Sequence, residues 1–131
     1  SLISELGLVG RAECRGWVDP DERVSVLHSA AVNVLPSYNE GLPMSILEAM
    51  SFGVPTISTP IAAIPEVISE GETGMLVDPG DVDALAAKLK VLLYDAPLRS
   101  RMSTKSFALV NERFSLGPNI GRLKELYRIL C

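Results

Sequence analysis

Residues 31 to 53 read Ala31-Val32-Asn33-Val34-Leu35-Pro36-Ser37-Tyr38-Asn39-Glu40-Gly41-Leu42-Pro43-Met44-Ser45-Ile46-Leu47-Glu48-Ala49-Met50-Ser51-Phe52-Gly53. The run Ala31 to Leu35 predicts a buried strand, and Pro36 ends it because proline has no N–H to donate to a ladder. Pro43 opens a helix at the position where a missing donor costs nothing, and Gly53 closes it as a left-handed cap. Strand, loop and helix in this order make a βα unit. Such units call for a mostly parallel sheet, since parallel strands need a crossover element between them.

The same alternation extends in both directions. Upstream, Ala12 to Val18 reads as a strand, and Asp19-Pro20-Asp21-Glu22 reads as a helix start, with an N-cap acceptor followed by proline and acidic residues; that helix runs to about Ala30. Downstream, Thr56 to Ser58 is a third strand, Ile64 to Ser69 a short helix, and Gly74 to Val77 a fourth strand before the turn Asp78-Pro79-Gly80. Asp81 caps a helix whose residues Val82, Leu85, Ala86, Leu89, Leu92 and Leu93 fall at helical spacing, with Asp83, Lys88 and Lys90 off that face. Asp95-Ala96-Pro97 restarts the chain into a helix ending near Asn111. A last amphipathic segment carries Ile120, Leu123, Leu126, Tyr127 and Leu130 on one side. The expected fold is α/β, with a parallel sheet of Ala12–Trp17, Val32–Leu35, Thr56–Ser58 and Gly74–Leu76 and helices over the last part of the chain.

Composition agrees with one globular domain: 131 residues, 47% hydrophobic, 12 Lys and Arg against 16 Asp and Glu for a net charge of -4. A chain of this length buries roughly two thirds of its unfolded surface without a staple. Cys14 and Cys131 therefore need no bridge, and a reducing, cytoplasmic setting fits them. No run reaches the length of a membrane span, and the N-terminus lacks the order of a signal peptide. Acidity argues against nucleic acid, and from Val24 to Ala87 there is no Lys or Arg. An anion bound in that stretch must use backbone dipoles or groups from elsewhere.

Phosphate-loop, nucleophile-elbow and metal signatures are missing: no GxGxxG, GxxxxGK[ST], GxSxG, CxxC or HExxH occurs. His28, the lone histidine, reads as structural. The informative segment is Ser37 to Glu48, because ligands of open α/β sheets bind beyond the carboxyl ends of the strands. Gly41 lets a ligand approach the backbone, and the free N–H groups and dipole of the helix start form an anion site with no basic side chain. Pro43, Ile46, Leu47 and Met50 make the helix core stripe, which leaves Glu48 on the adjacent face beside Ser45. Glu40 and Glu48 would then both look into the cleft, and two hydrogen-bond acceptors near an anion site suit polyhydroxyl ligands such as sugar and ribose. Singly, each carboxylate also fits a solvated surface role. As a pair they would also fit a glycosidase, although nothing in the sequence marks either one for general-acid work.

Glu40 and Glu48, with seven residues between them, resemble the Glu-x7-Glu motif of the GT4 (group 1) family of retaining glycosyltransferases. Gly53-Val54-Pro55-Thr56-Ile57, Ile64-Pro65-Glu66-Val67-Ile68 and Gly74-Met75-Leu76-Val77-Asp78-Pro79-Gly80-Asp81 are similar, in order and spacing, to the family's segments on the C-terminal side of that motif. Arg15-Gly16-Trp17-Val18 resembles the loop that lies against the nucleotide base. The resemblance implies a Rossmann-like, partial C-terminal donor-binding domain of a two-domain GT-B enzyme. Such an enzyme transfers a sugar from a nucleotide diphosphate sugar to an acceptor with retention, without metal or other cofactor, in the cytoplasm or at the cytoplasmic face of a membrane.

By the same resemblance, Glu40 is the catalytic contact to the transferred sugar. Gly41, Leu42, Pro43, Met44 and Ser45 would hold its hydroxyls and the distal phosphate, Glu48 the ribose, and Arg15, Gly16 and Trp17 the base. Ala62-Ala63 stands where the family carries a Gly-Gly or Ala-Gly pair. The first strands of the domain, with their diphosphate-clamping Arg and Lys, and the acceptor domain are expected before Ser1. Their absence leads to two further expectations: no transfer by this chain alone, and self-association through open sheet edges and the last segment's apolar face. A non-catalytic nucleotide-sugar binding module and a sugar-nucleotide epimerase are the rival readings.

Overall fold

Three parallel strands, β1 (Asn33–Leu35), β2 (Thr56–Ser58) and β3 (Gly74–Leu76), lie in the order β1-β2-β3, with Asn33 opposite Thr56 and Thr56 opposite Gly74. This is a computed structural model that describes residues 1–130, leaving aside the side chains of Pro118 and Leu130. The Cys14–Cys131 question and the place of Leu130 in the last apolar stripe therefore fall outside the described residues.

Each crossover carries the element its residues dictate. Before β1 come a short α1 (Leu2–Glu5) and α2 (Pro20–Ser29), which opens with Asp19 accepting from the Glu22 N–H at 2.9 Å and Pro20 in the first helical position. Between β1 and β2, α3 (Met44–Ser51) buries Ile46, Leu47, Ala49 and Met50 and is closed by Gly53 at φ +69. Its left-handed conformation calls for glycine, and a Cβ there would stand 2.7 Å from Ser103 Oγ, which would have to rotate away. A 3₁₀ turn (Ile64–Glu66) separates β2 from β3. After β3 come α4 (Val82–Tyr94), α5 (Ala96–Arg113) and α6 (Leu116–Leu130). Asp95 ends α4 and caps α5, accepting from the Leu98 N–H at 2.8 Å.

Two apolar clusters hold these layers. Ile46, Leu47 and Met50 of α3 meet Ile64, Val67 and Ile68, while Ile57 and Met75 of the sheet meet Leu92 of α4. The long helix α5 serves both, giving Val110 to the first and Met102 to the second. Each fully buried aliphatic side chain contributes roughly 1.5–3 kcal/mol, so α5 is the element without which neither cluster closes.

Two expectations need correction. Ala12 to Trp17 forms no strand: its only ladder contact is an isolated Val9–Ala12 bridge, and the whole run is exposed. Among the described residues no strand lies beside this run to pair with it or to offer a surface for burial, so it stays in solvent. On α4, Val82, Ala86 and Leu93 face solvent, and the buried side is Ala84, Leu85, Leu89 and Leu92 with a half-buried Lys88. The α6 stripe forms, and Ile120, Leu123, Leu126 and Tyr127 are exposed, as expected of an apolar face without a packing partner. His28 is structural, its ring meeting Phe52 edge-on at 4.9 Å.

Lys88 has a specific task. β3 is an edge strand, and its outward groups are satisfied by side chains: the Leu76 N–H donates to Glu70 Oε2 at 2.6 Å, and Lys88 Nζ donates to the Leu76 carbonyl at 2.7 Å and to Glu70 Oε1. The Gly71 N–H donates to the Gly74 carbonyl at 2.9 Å. Charged side chains thus occupy the positions an added strand would need. The segment just before β3 is tied to α5 by Lys105, whose ammonium sits 2.8 Å from Glu72 Oε1.

These edge contacts can be tested singly. Glu70→Ala should speed exchange of the Leu76 amide by about tenfold or more in hydrogen-exchange NMR and cost about 1–2 kcal/mol, since it frees a backbone donor and an ammonium together. The hydrogen bond from Lys105, then its charge, hold the Glu72 carboxyl below the usual carboxylate range. A depressed carboxyl stabilises the fold above its ordinary pKa and loses that contribution as pH falls through the lowered value. Followed by NMR, the Glu72 carboxyl should therefore titrate at lower pH in the parent than in Lys105→Met.

Candidate functional site

The segment from Ser37 to Pro43 bridges the end of β1 and the start of α3, and it is pinned at both ends. Thr59 Oγ1 donates to the Ser37 carbonyl at 2.7 Å, and the Ala63 N–H donates to the Gly41 carbonyl at 3.4 Å. Within the loop, Ser37 Oγ donates to Glu40 Oε1 at 2.8 Å, so one oxygen of the half-buried Glu40 is held by its own loop. Tyr38 leans on the turn before α4, its Oη 2.8 Å from where a Cβ on Gly80 would stand.

The next helix begins differently from its neighbours. α2, α4 and α5 each have an aspartate that accepts from a first-turn N–H; α3 has Pro43 at the cap, no side-chain acceptor and no acidic residue in its first turn. The positive end of its dipole is left without a compensating side chain, and Met44 and Ser45 there are exposed. A Cβ at Gly41 would meet nothing within 4 Å, so the space over that backbone is open. These features suit an anion approached by backbone N–H groups, with a carboxylate on each side along the chain.

Glu48 lies one turn into α3, beside the core stripe, where the spacing placed it. Its carboxylate is not alone: Arg23 Nε of α2 stands 3.0 Å from Glu48 Oε1. Both line a groove of about 520 Å³ bounded also by Met44 and Ser51 of α3 and by Phe114 and Leu116 where α5 gives way to α6. The neighbouring Glu22 takes Arg15 Nη1 at 3.1 Å, and Arg15 Nε lies 3.3 Å from Glu13. The first turn of α2 thus fastens the Arg15–Trp17 segment with one residue and Glu48 with the next. Gly16 sits at φ +65, and Trp17 is 95% exposed, its ring free of packing.

Sequence reasoning missed Arg23. It stands immediately before the cation-free stretch, and nothing in local spacing links it to a residue on another helix. Ala62 is the second surprise: at φ +46 it holds a left-handed conformation that glycine adopts freely, at the position where a glycine-bearing pair was expected. Among the described residues, no group of three or more His, Cys, Asp or Glu is placed to hold a metal ion, and no helix is long and apolar enough to cross a membrane.

The chain is similar to known proteins along most of its length. The family model described as "Glycosyl transferases group 1" matches residues 1–108. The O-antigen chain mannosyltransferase B of Escherichia coli is 38% identical over 107 residues, covering 77% of this chain and 28% of its own length. A D-inositol 3-phosphate glycosyltransferase of Corynebacterium efficiens is 33% identical over 127 residues, 97% of this chain and 30% of its own. Sucrose-phosphate synthase from Thermosynechococcus elongatus superposes with a TM-score of 0.86 at 31% identity, over 98% of this chain and 32% of that one. The chain spans about a third of the length of the relatives it matches.

The strain at Ala62 gives a direct test. Ala62→Gly should gain up to about 1 kcal/mol in urea unfolding by removing the left-handed penalty, whereas Ala62→Val should lose stability.

Proposed function

This chain belongs to the glycosyl transferases group 1 family, with the Rossmann-like α/β fold of the C-terminal part of a GT-B glycosyltransferase, and from that premise we propose that it forms part of the donor site of a retaining sugar transferase. The donor is a nucleotide diphosphate sugar. The observation that carries the reading is the uncapped start of α3, with the Glu40 loop on one side and Glu48 on the other, at the carboxyl end of the sheet.

In this reading the backbone from Gly41 to Ser45 receives the distal phosphate and the sugar hydroxyls, using N–H groups that no side chain competes for. As the bond from the anomeric carbon to the diphosphate breaks, negative charge grows on the leaving oxygen, and the positive end of α3 stabilises it in place of a basic side chain. Glu40, with one oxygen held by Ser37, turns the other toward the transferred sugar. Glu48 accepts from the ribose hydroxyls, and Arg15, Gly16 and Trp17 flank the base. The acceptor and the remaining diphosphate contacts belong to parts of the enzyme beyond these residues, so this chain by itself transfers no sugar.

Donor binding and turnover in the full-length protein separate the roles. Glu48→Gln keeps shape but loses a charged acceptor, and it should cost about 1.5–3 kcal/mol of donor interaction. Glu40→Gln should lower turnover with nucleotide binding almost unchanged. Gly41→Ala has room in the fold and should leave the melting temperature within about 2 °C while cutting donor binding about tenfold or more. Full donor affinity in both Glu48→Gln and Gly41→Ala would overturn the reading. Binding that depends on these residues in a protein without transfer would favour a non-catalytic binding module instead.

A further inference from the structure

The Arg23–Glu48 pair calls for a role beyond stability. It joins two partly solvated side chains, 55% and 32% exposed, and pairs of that kind contribute little to folding because water screens them and ordering two long side chains costs entropy. α3 does not need it either, since Ile46, Leu47, Ala49 and Met50 already bury the helix on its other side. The pair does affect the direction of the Glu48 carboxylate, the one part of that residue the core leaves free to rotate.

We infer that Arg23 is a positioning residue for Glu48: its Nε holds Oε1, so that Oε2 is presented to a ribose hydroxyl of the bound nucleotide. This rests on the donor-site reading above. Three observations support it. Arg23 is the sole basic residue that contacts Glu48 among the described residues, and none occurs from Val24 to Ala87 to replace it. Arg23 and Glu48 line the same groove, which runs along α3 from Met44 at its start to Ser51 at its end. The adjacent Glu22 contacts Arg15, so the same turn of α2 also reaches the segment assigned to the base. A carboxylate with one oxygen fixed loses less rotamer freedom when a ligand takes the other, and that gain appears in binding rather than in folding.

The test uses the full-length protein with UDP, GDP and ADP and their 2′-deoxy counterparts as probes, titrated by calorimetry. Arg23→Met keeps the aliphatic stem and should weaken the preferred ribonucleotide about five- to tenfold, while shrinking the preference for the ribonucleotide over its 2′-deoxy form. Arg23→Lys should recover part of the affinity. In turnover, the donor KM should rise with kcat nearly unchanged. If Arg23→Met binds like the parent, binds more tightly, or weakens ribo and deoxy probes by the same factor, the positioning role is wrong and Glu48 acts without it. If Glu48→Gln and Gly41→Ala also leave every probe unaffected, or the parent protein binds none of them, the donor-site reading itself fails. A parent that binds and a Glu48→Gln variant that does not would keep the donor site while Arg23 alone is judged.

Discussion

The hydroxyl groups of β2 hold the molecule's working end in place. A parallel ladder ends where Pro36 removes a donor, and beyond it the chain must pass to α3 with its carbonyls unpaired. Ser58 Oγ donates to the Leu35 carbonyl and Thr59 Oγ1 to the Ser37 carbonyl, each at 2.7 Å, and both side chains are fully buried. The central strand therefore fastens its neighbour one loop further than backbone pairing could reach. Without these hydroxyls the Leu35 and Ser37 carbonyls would lose their partners and the start of the segment leading to Glu40 and Gly41 its anchor.

From that anchor the two ends of the sheet take different tasks. The start of α3 is left without a cap and faces open space, a local cost in helix stability that α2, α4 and α5 avoid with an aspartate each. The burial of four α3 residues against the core offsets it, so the helix holds although its N-terminus is available to an anion. At the opposite edge, Glu70 and Lys88 close β3 against further pairing. Polar groups are thus left open where a ligand fits and covered where another chain would add.

α2 plays a part out of proportion to its packing, for none of its residues is fully buried. It works by charge: Asp19 starts it, Glu22 holds Arg15, and Arg23 reaches Glu48. An exposed helix fixed in this way connects a loop without regular structure to a residue of the most buried helix.

Local chemistry carried much of this structure in the sequence itself. Asp19, Asp81 and Asp95 mark helix starts because a carboxylate satisfies donors three residues away, and Gly53 marks an end because only glycine adopts its conformation cheaply; both effects act within one turn of chain. The strands Asn33–Leu35, Thr56–Ser58 and Gly74–Leu76 were legible as short apolar runs between breakers, and the spacing of Glu40 and Glu48 marked the candidate site. Tertiary structure decided the rest. Whether Ala12 to Trp17 becomes a strand depends on a partner edge and on surface to bury, and neither is a property of those residues alone. Lys88 looked like a solvent residue until β3 supplied a carbonyl for it, and Arg23 met Glu48 only because the fold brings the first turn of α2 within reach of α3. Spacing rules reach three or four residues along a helix, whereas a charge finds its partner wherever the core brings two elements together.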